Sequence, residues 1–168
     1  MSWTRASVAA LAACAVLLTG TAACGSGGGR EQGTVVSPSP VGKVLDNTDD
    51  DGRHYREVAK DGAPKVGLEV VPDKAGGWDV RLKPANFRFS PSGAAGKAIP
   101  GRGTARLYVD DQPVADLRTP SYRIPAGYLP HGTHQVTVRL YADDGTVWAV
   151  DGKPVQSTAD ITASETSS

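Results

Sequence analysis

The chain has 168 residues, 39% hydrophobic and 21% charged, with eighteen basic and eighteen acidic side chains and a formal net charge of zero. That balance excludes a global field of the kind that draws in nucleic acid. Two cysteines are too few for a disulfide framework or a four-thiolate zinc site, and twenty glycines with twelve prolines favour short strands and loops over long helices.

Residues 1–23 read as a secretory signal peptide. Arg5 supplies the basic start, an apolar stretch runs from Ala6 to Leu18, and small residues lead to Cys24. About 13 strongly apolar residues fall short of the roughly 20 that span a bilayer, so export is expected. Thr21-Ala22-Ala23-Cys24, followed by Gly25-Ser26-Gly27-Gly28-Gly29, resembles the lipobox of bacterial lipoproteins of the actinobacterial type, with Thr21 where leucine is commonest. The resemblance implies that the Cys24 thiol carries diacylglycerol and becomes the first residue of the mature protein. Leu11-Ala12-Ala13-Cys14 fits letter by letter, but too few apolar residues precede it. A lone unpaired thiol is unusual in an oxidising space, which also favours acylation over plain secretion. More than one acyl chain (palmitate, for example), at ~0.8 kcal/mol per buried methylene, gives lasting attachment. The expected location is the extracytoplasmic face of the cell membrane.

Residues 24–64 carry almost no apolar periodicity and read as the lipidated cysteine and a flexible linker. Gly25 to Gly29 is pliable, Ser37-Pro38-Ser39-Pro40 stiffer, and Asp46 to Gly52 a charged run. About 40 such residues would span on the order of 35 Å as a coil. Asn47 to Val58 faintly follows a calcium loop through Asp49, Asp51 and Gly52, but Val58 stands where a bidentate glutamate is needed. A solvated acidic linker is the expectation.

Residues 65–162 alternate repeatedly between apolar and polar: Val66, Leu68 and Val70; Trp78, Val80 and Leu82; Phe87 and Phe89; Ala105, Leu107 and Val109; Tyr122 and Ile124; Val136, Val138 and Leu140. Val147 to Val150 is apolar on both faces. Period two with one apolar face marks half-buried strands, and Gly, Pro and Asp clusters punctuate them. The pattern predicts an all-β fold, an immunoglobulin-like antiparallel β-sandwich of seven or eight short strands, with Trp78 as a core anchor. Residues 163–168 are expected to form a disordered tail.

Gly77-Trp78-Asp79-Val80, Ala85-Asn86-Phe87-Arg88-Phe89-Ser90-Pro91, Leu107-Tyr108-Val109-Asp110 and Asp151-Gly152-Lys153-Pro154 together resemble a family of small exported β-sandwich proteins, over roughly Val66 to Val155. The resemblance implies histidines suited to copper or zinc. This chain instead carries Gly103-Thr104-Ala105-Arg106, Arg123 and Asp143-Asp144-Gly145 at those points. Arg106 and Arg123 would place permanent positive charge where a cation should sit.

His131 and His134, three apart, are weak metal candidates with no further cysteine or histidine nearby. No serine sits in a Gly-x-Ser-x-Gly elbow, and no unmodified cysteine would remain as a nucleophile, so no enzyme and no cofactor is expected. From Val80 to Val109 there are basic residues and no acidic ones until Asp110. Arg81, Lys83, Arg88 and Arg106 are the candidate polyanion-binding residues if they share one exposed face. The function expected is a lipid-anchored, non-enzymatic envelope module. It would bind or scaffold an anionic cell-wall polymer or envelope protein, without nucleic acid. The alternative is a copper- or zinc-handling exported protein with a degenerate or displaced metal site.

Overall fold

The computed structural model describes residues 41–94 and 96–164. The signal peptide, Cys24, the linker up to residue 40 and the tail from residue 165 lie outside the described residues. Twelve strands form among the described residues, with no helix: β1 (Lys43–Thr48), β2 (His54–Glu57), β3 (Lys65–Pro72), β4 (Trp78–Ala85), β5 (Arg88–Phe89), β6 (Arg102–Val109), β7 (Gln112–Leu117), β8 (Ser121–Ile124), β9 (Gly132–Tyr141), β10 (Val147–Val150), β11 (Lys153–Pro154) and β12 (Gln156–Ala163).

Two sheets share one core. The smaller is ordered β3-β4-β8, and the larger runs β1-β2-β10-β9-β6-β5, with β7 on β6, β12 on β9 and β11 on β10. Alternation places Val80, Leu82 and Ile124 of the smaller sheet against Ala105, Leu107, Val136, Val138 and Leu140 of the larger. Phe87 and Phe89 close one side edge to face, ring centroids 5.3 Å apart. Two-residue turns at Asp110-Asp111 and Asp151-Gly152 have both residues at positive φ, the backbone of the tight hairpin turns that asparagine, aspartate and glycine tolerate best.

Four expectations need correction. Residues 41–64 are not tether: β1 and β2 pair with each other, and β2 lies parallel to β10, Tyr55 opposite Val147 and Glu57 opposite Ala149. The segment lacks apolar periodicity because polar contacts hold it. Arg56 is buried, donating from Nη1 to the Val41 carbonyl at 2.8 Å and from Nε to the Thr146 hydroxyl at 2.9 Å. Secondly, the sheet is not purely antiparallel, since β2–β10 and β5–β6 run parallel. Thirdly, the deepest anchor is Trp148, fully buried and donating to the Arg102 carbonyl, whereas Trp78 packs only partly buried at the margin of the core. The tail also begins later than expected, because β12 continues to Ala163, opposite Gly132.

Candidate functional site

On β6 and β9 the side chains that point away from the core include Arg106 and Tyr108, and Arg139 and Tyr141. The turn between β1 and β2 folds down onto them. Asp49, the first carboxylate of that turn, is buried. Its Oδ1 accepts from the backbone N–H of Asp51 at 3.1 Å and of Arg53 at 2.8 Å, an Asx-type turn. Its Oδ2 accepts from the Tyr141 hydroxyl at 2.8 Å, and Arg139 lies 3.5 Å away. The hydroxyls of Tyr141 and Tyr108 are 2.5 Å apart. Of the early ligands of the supposed calcium loop, Asp49 is thus turned inward and engaged, while Asp51 stays at the surface, paired with Arg106. Gly103, at φ 152°, carries the chain past this network; a Cβ there would run into the Tyr141 carbonyl oxygen.

Beside the network lies a cleft of about 270 Å³ lined by Arg53, Thr104, Arg106, Asp116, Arg118, Tyr141 and Asp143, with Ala94, Ala142 and Gly145. Arg106 grips Asp116 by two nitrogens, at 2.6 and 3.2 Å, and Asp51 by the third at 2.7 Å. Arg118 donates to the carbonyls of Ser90 and Pro91. Arg53 differs. Its guanidinium lies over the Tyr141 ring, 5.0 Å from the centroid, and it makes no ion pair with a carboxylate among the described residues, although its charge helps to lower Asp116. Oδ1 of Asp143 is buried without a hydrogen-bond partner.

The hydrogen bond from Arg106 holds the Asp116 carboxyl below its ordinary range, and in return the bond to Asp116 raises Arg106. Burial, then the bonds to Tyr108 and Asp49, push Tyr141 far up. All three groups are displaced away from neutrality.

Arg81 and Lys83 alternate with Val80 and Leu82, so they lie on the outer face of the smaller sheet, and Lys83 pairs with Glu69 at 3.1 Å. Arg88 is exposed in β5 at one end. Arg106 lies on the outer face of the larger sheet, its charge taken up by Asp51 and Asp116. The four therefore do not form one face, because their strands belong to opposite layers. Arg123 pairs with Asp73. His134 is buried, its Nδ1 2.7 Å from Asp110 and its Nε2 2.9 Å from the Pro130 carbonyl. Both nitrogens are thereby committed, which leaves no lone pair for a metal. His131 lines a separate cleft with Trp78 and Asp73. Among the described residues no group of three or more His, Cys, Asp or Glu is placed to hold a metal ion.

Sequence reasoning missed Arg53 and Tyr141, and read Asp49 only as an early position of a faint calcium loop. Aspartate at Asp49, glycine at Gly52 and arginine at Arg53 form a turn signature, but nothing local says that the turn docks on strands about ninety positions later. No protein-family model, curated protein or solved structure matches the chain.

Proposed function

We propose a lipid-anchored protein of the extracytoplasmic face of the cell membrane, whose β-sandwich domain binds or scaffolds an anionic envelope component without catalysing a reaction. The observation that carries this reading is the arginine cleft. A general acid or base works with acidity near the ambient pH, and Arg106, Asp116 and Tyr141 are all shifted away from it. Arg53, whose guanidinium lies over the Tyr141 ring and makes no ion pair with a carboxylate among the described residues, instead presents the planar donor fork that suits phosphate or carboxylate. Lipid anchoring rests on Thr21-Ala22-Ala23-Cys24 and the apolar stretch before it.

The immunoglobulin-like reading is supported by strand order. β3-β4-β8 facing β7-β6-β9-β12 places sequence neighbours in different layers at β4–β5, β7–β8 and β8–β9, as Greek-key connections do. On this reading β10 and β11 extend the last hairpin, and β1–β2 is an added edge.

Two measurements test the proposal. Cell fractionation of the Cys24→Ala variant should move the protein out of the membrane fraction or block its processing; unchanged retention would contradict anchoring. Co-sedimentation of the protein with cell-wall fragments should weaken several-fold in an Arg53→Ala, Arg118→Ala variant and fall with added salt. Binding unaffected by either would remove the cleft from recognition.

A further inference from the structure

The charges of the domain are not spread evenly, although they sum to zero. One end collects the start of β3, the ends of β2 and β10, the β10–β11 turn and the loop between β5 and β6. Here a cleft of about 400 Å³ is rimmed by Lys60, Lys65 and Lys153 and floored by Ala63, Pro64, Val66, Val150, Pro154 and Val155, with no carboxylate in its lining. None of the three lysines has an ion-pair partner among the described residues. Arg88 and Arg102 line the adjoining cleft with Pro100 and Gly101. The carboxylates at this end include Glu57, Asp61 and Asp151, and Asp143 meets the loop between β5 and β6 through Ser90 and Gly96. Glu57 is occupied by the backbone N–H groups of Asp151 and Gly152 at 2.7 and 3.0 Å.

Two further observations mark the same end. Ile99, one of three large hydrophobic side chains exposed among the described residues, stands in its loop between Lys97 and Arg102. Val41, where the described chain begins, lines a shallow cleft with Ala63, Pro64, Pro100 and Gly101, so the N-terminal segment joins the domain here.

We infer that this end docks on the anionic surface of the membrane to which the N-terminal segment is anchored, with a lipid phosphate in the cleft of Lys60, Lys65 and Lys153 and Ile99 entering the headgroup region. The inference rests on the lipid-anchored reading for its source of membrane. Basic side chains around an apolar floor are the chemistry that anionic headgroups select, and their attraction reaches about a Debye length. Tethering supplies a high effective concentration, so modest surface charge suffices. The arginine cleft, on the outer face of the larger sheet, then remains accessible from the side.

The test is hydrogen–deuterium exchange on the full chain with vesicles of phosphatidylcholine alone or mixed with phosphatidylglycerol. Peptides spanning 60–66, 97–102 and 150–156 should exchange several-fold more slowly on the anionic vesicles and not on the neutral ones. The protection should vanish at high salt and in a Lys60→Glu, Lys65→Glu, Lys153→Glu variant, whose exposed unpaired positions leave folding intact by circular dichroism. An Ile99→Ser variant should lose part of it. Intact mass reports acylation separately. Protection on anionic vesicles supports docking with or without the lipid, and equal exchange on both vesicle types overturns it. Protection by isolated cell-wall polymer but not by vesicles would also overturn the lipid assignment.

Discussion

Nη2 of Arg56 and Oδ2 of Asp144 lie 2.5 Å apart, with the arginine side chain 5% exposed and the aspartate 20%. This pair ties β2 to the turn between β9 and β10, and so makes residues 41–57 part of the folded domain. Removing one partner of a buried pair strands the other charge, at a cost of about 3–5 kcal/mol. Arg56→Met should therefore lower stability by about that much in urea unfolding. A domain trimmed to begin at residue 65 should lose cooperative unfolding; an unchanged midpoint for either would return residues 41–64 to the role of tether.

The Asp144 carboxyl is pushed up by burial, but the hydroxyl and backbone N–H of Thr146 and the Arg56 charge outweigh this and hold it below its ordinary value. A carboxyl with a lowered folded-state pKa contributes stability above its unfolded value and loses it as pH falls through the folded one. Acid titration of the unfolding free energy should show a loss below about pH 4 that is smaller in Asp144→Asn, where only the other lowered carboxyls, Asp110 and Asp116, still contribute. An identical acid limb in both proteins would contradict the pairing.

His134 has the opposite sign. Its hydrogen bond to Asp110, then that to the Pro130 carbonyl, raises its pKa. An imidazole donating from both nitrogens is the charged form. Its contribution is thus complete below the unfolded value of about 6.5 and is lost as pH rises through the higher folded value. Asp110, lowered first by His134 and then by the Gln135 N–H, loses its share only in acid. The proton resonances of the His134 ring should titrate above the ordinary imidazole value, and His134→Gln should flatten the alkaline decline in stability. A ring that titrates below its ordinary value would mean that one of the two acceptors is not engaged in solution.

The alternation of Val80 and Leu82, Leu107 and Val109, and Val136, Val138 and Leu140 was enough to place the core strands, because one buried face imposes period two whatever the partner strand is. Asp110-Asp111 and Asp151-Gly152 marked their turns through the positive φ that such residues accept. The sequence did not disclose β1 and β2, whose burial comes from Asp49 and Arg56. A buried ion pair reads, residue by residue, like a solvated charge. The same reason hid the cleft: Arg53 is defined by its stacking on Tyr141, a contact between positions 88 apart with no periodic trace. Arg81 and Arg106 failed as one patch because alternation gives the face within a sheet but not which of two sheets a strand joins.

Trp148 and Trp78 separate these two kinds of information. Trp148→Ala should cost about 3–5 kcal/mol, the range for deleting a large buried ring, whereas Trp78→Ala, at the margin of the core, should cost clearly less. The reverse order would exchange their places in the packing.

Gly103 is held where any side chain meets the Tyr141 carbonyl oxygen, so Gly103→Ala should destabilise by at least about 2 kcal/mol and loosen the contact between β6 and β9 beneath the cleft. A neutral substitution would show that the two strands can part without penalty.

The measurement closest to the central claim is the intact mass of the protein extracted from membranes. Anchoring through Cys24 requires loss of residues 1–23 and the addition of diacylglycerol, with or without a further acyl chain, on Cys24. A chain that retains residues 1–23, or one cut before Cys24 with its thiol unmodified, would contradict it.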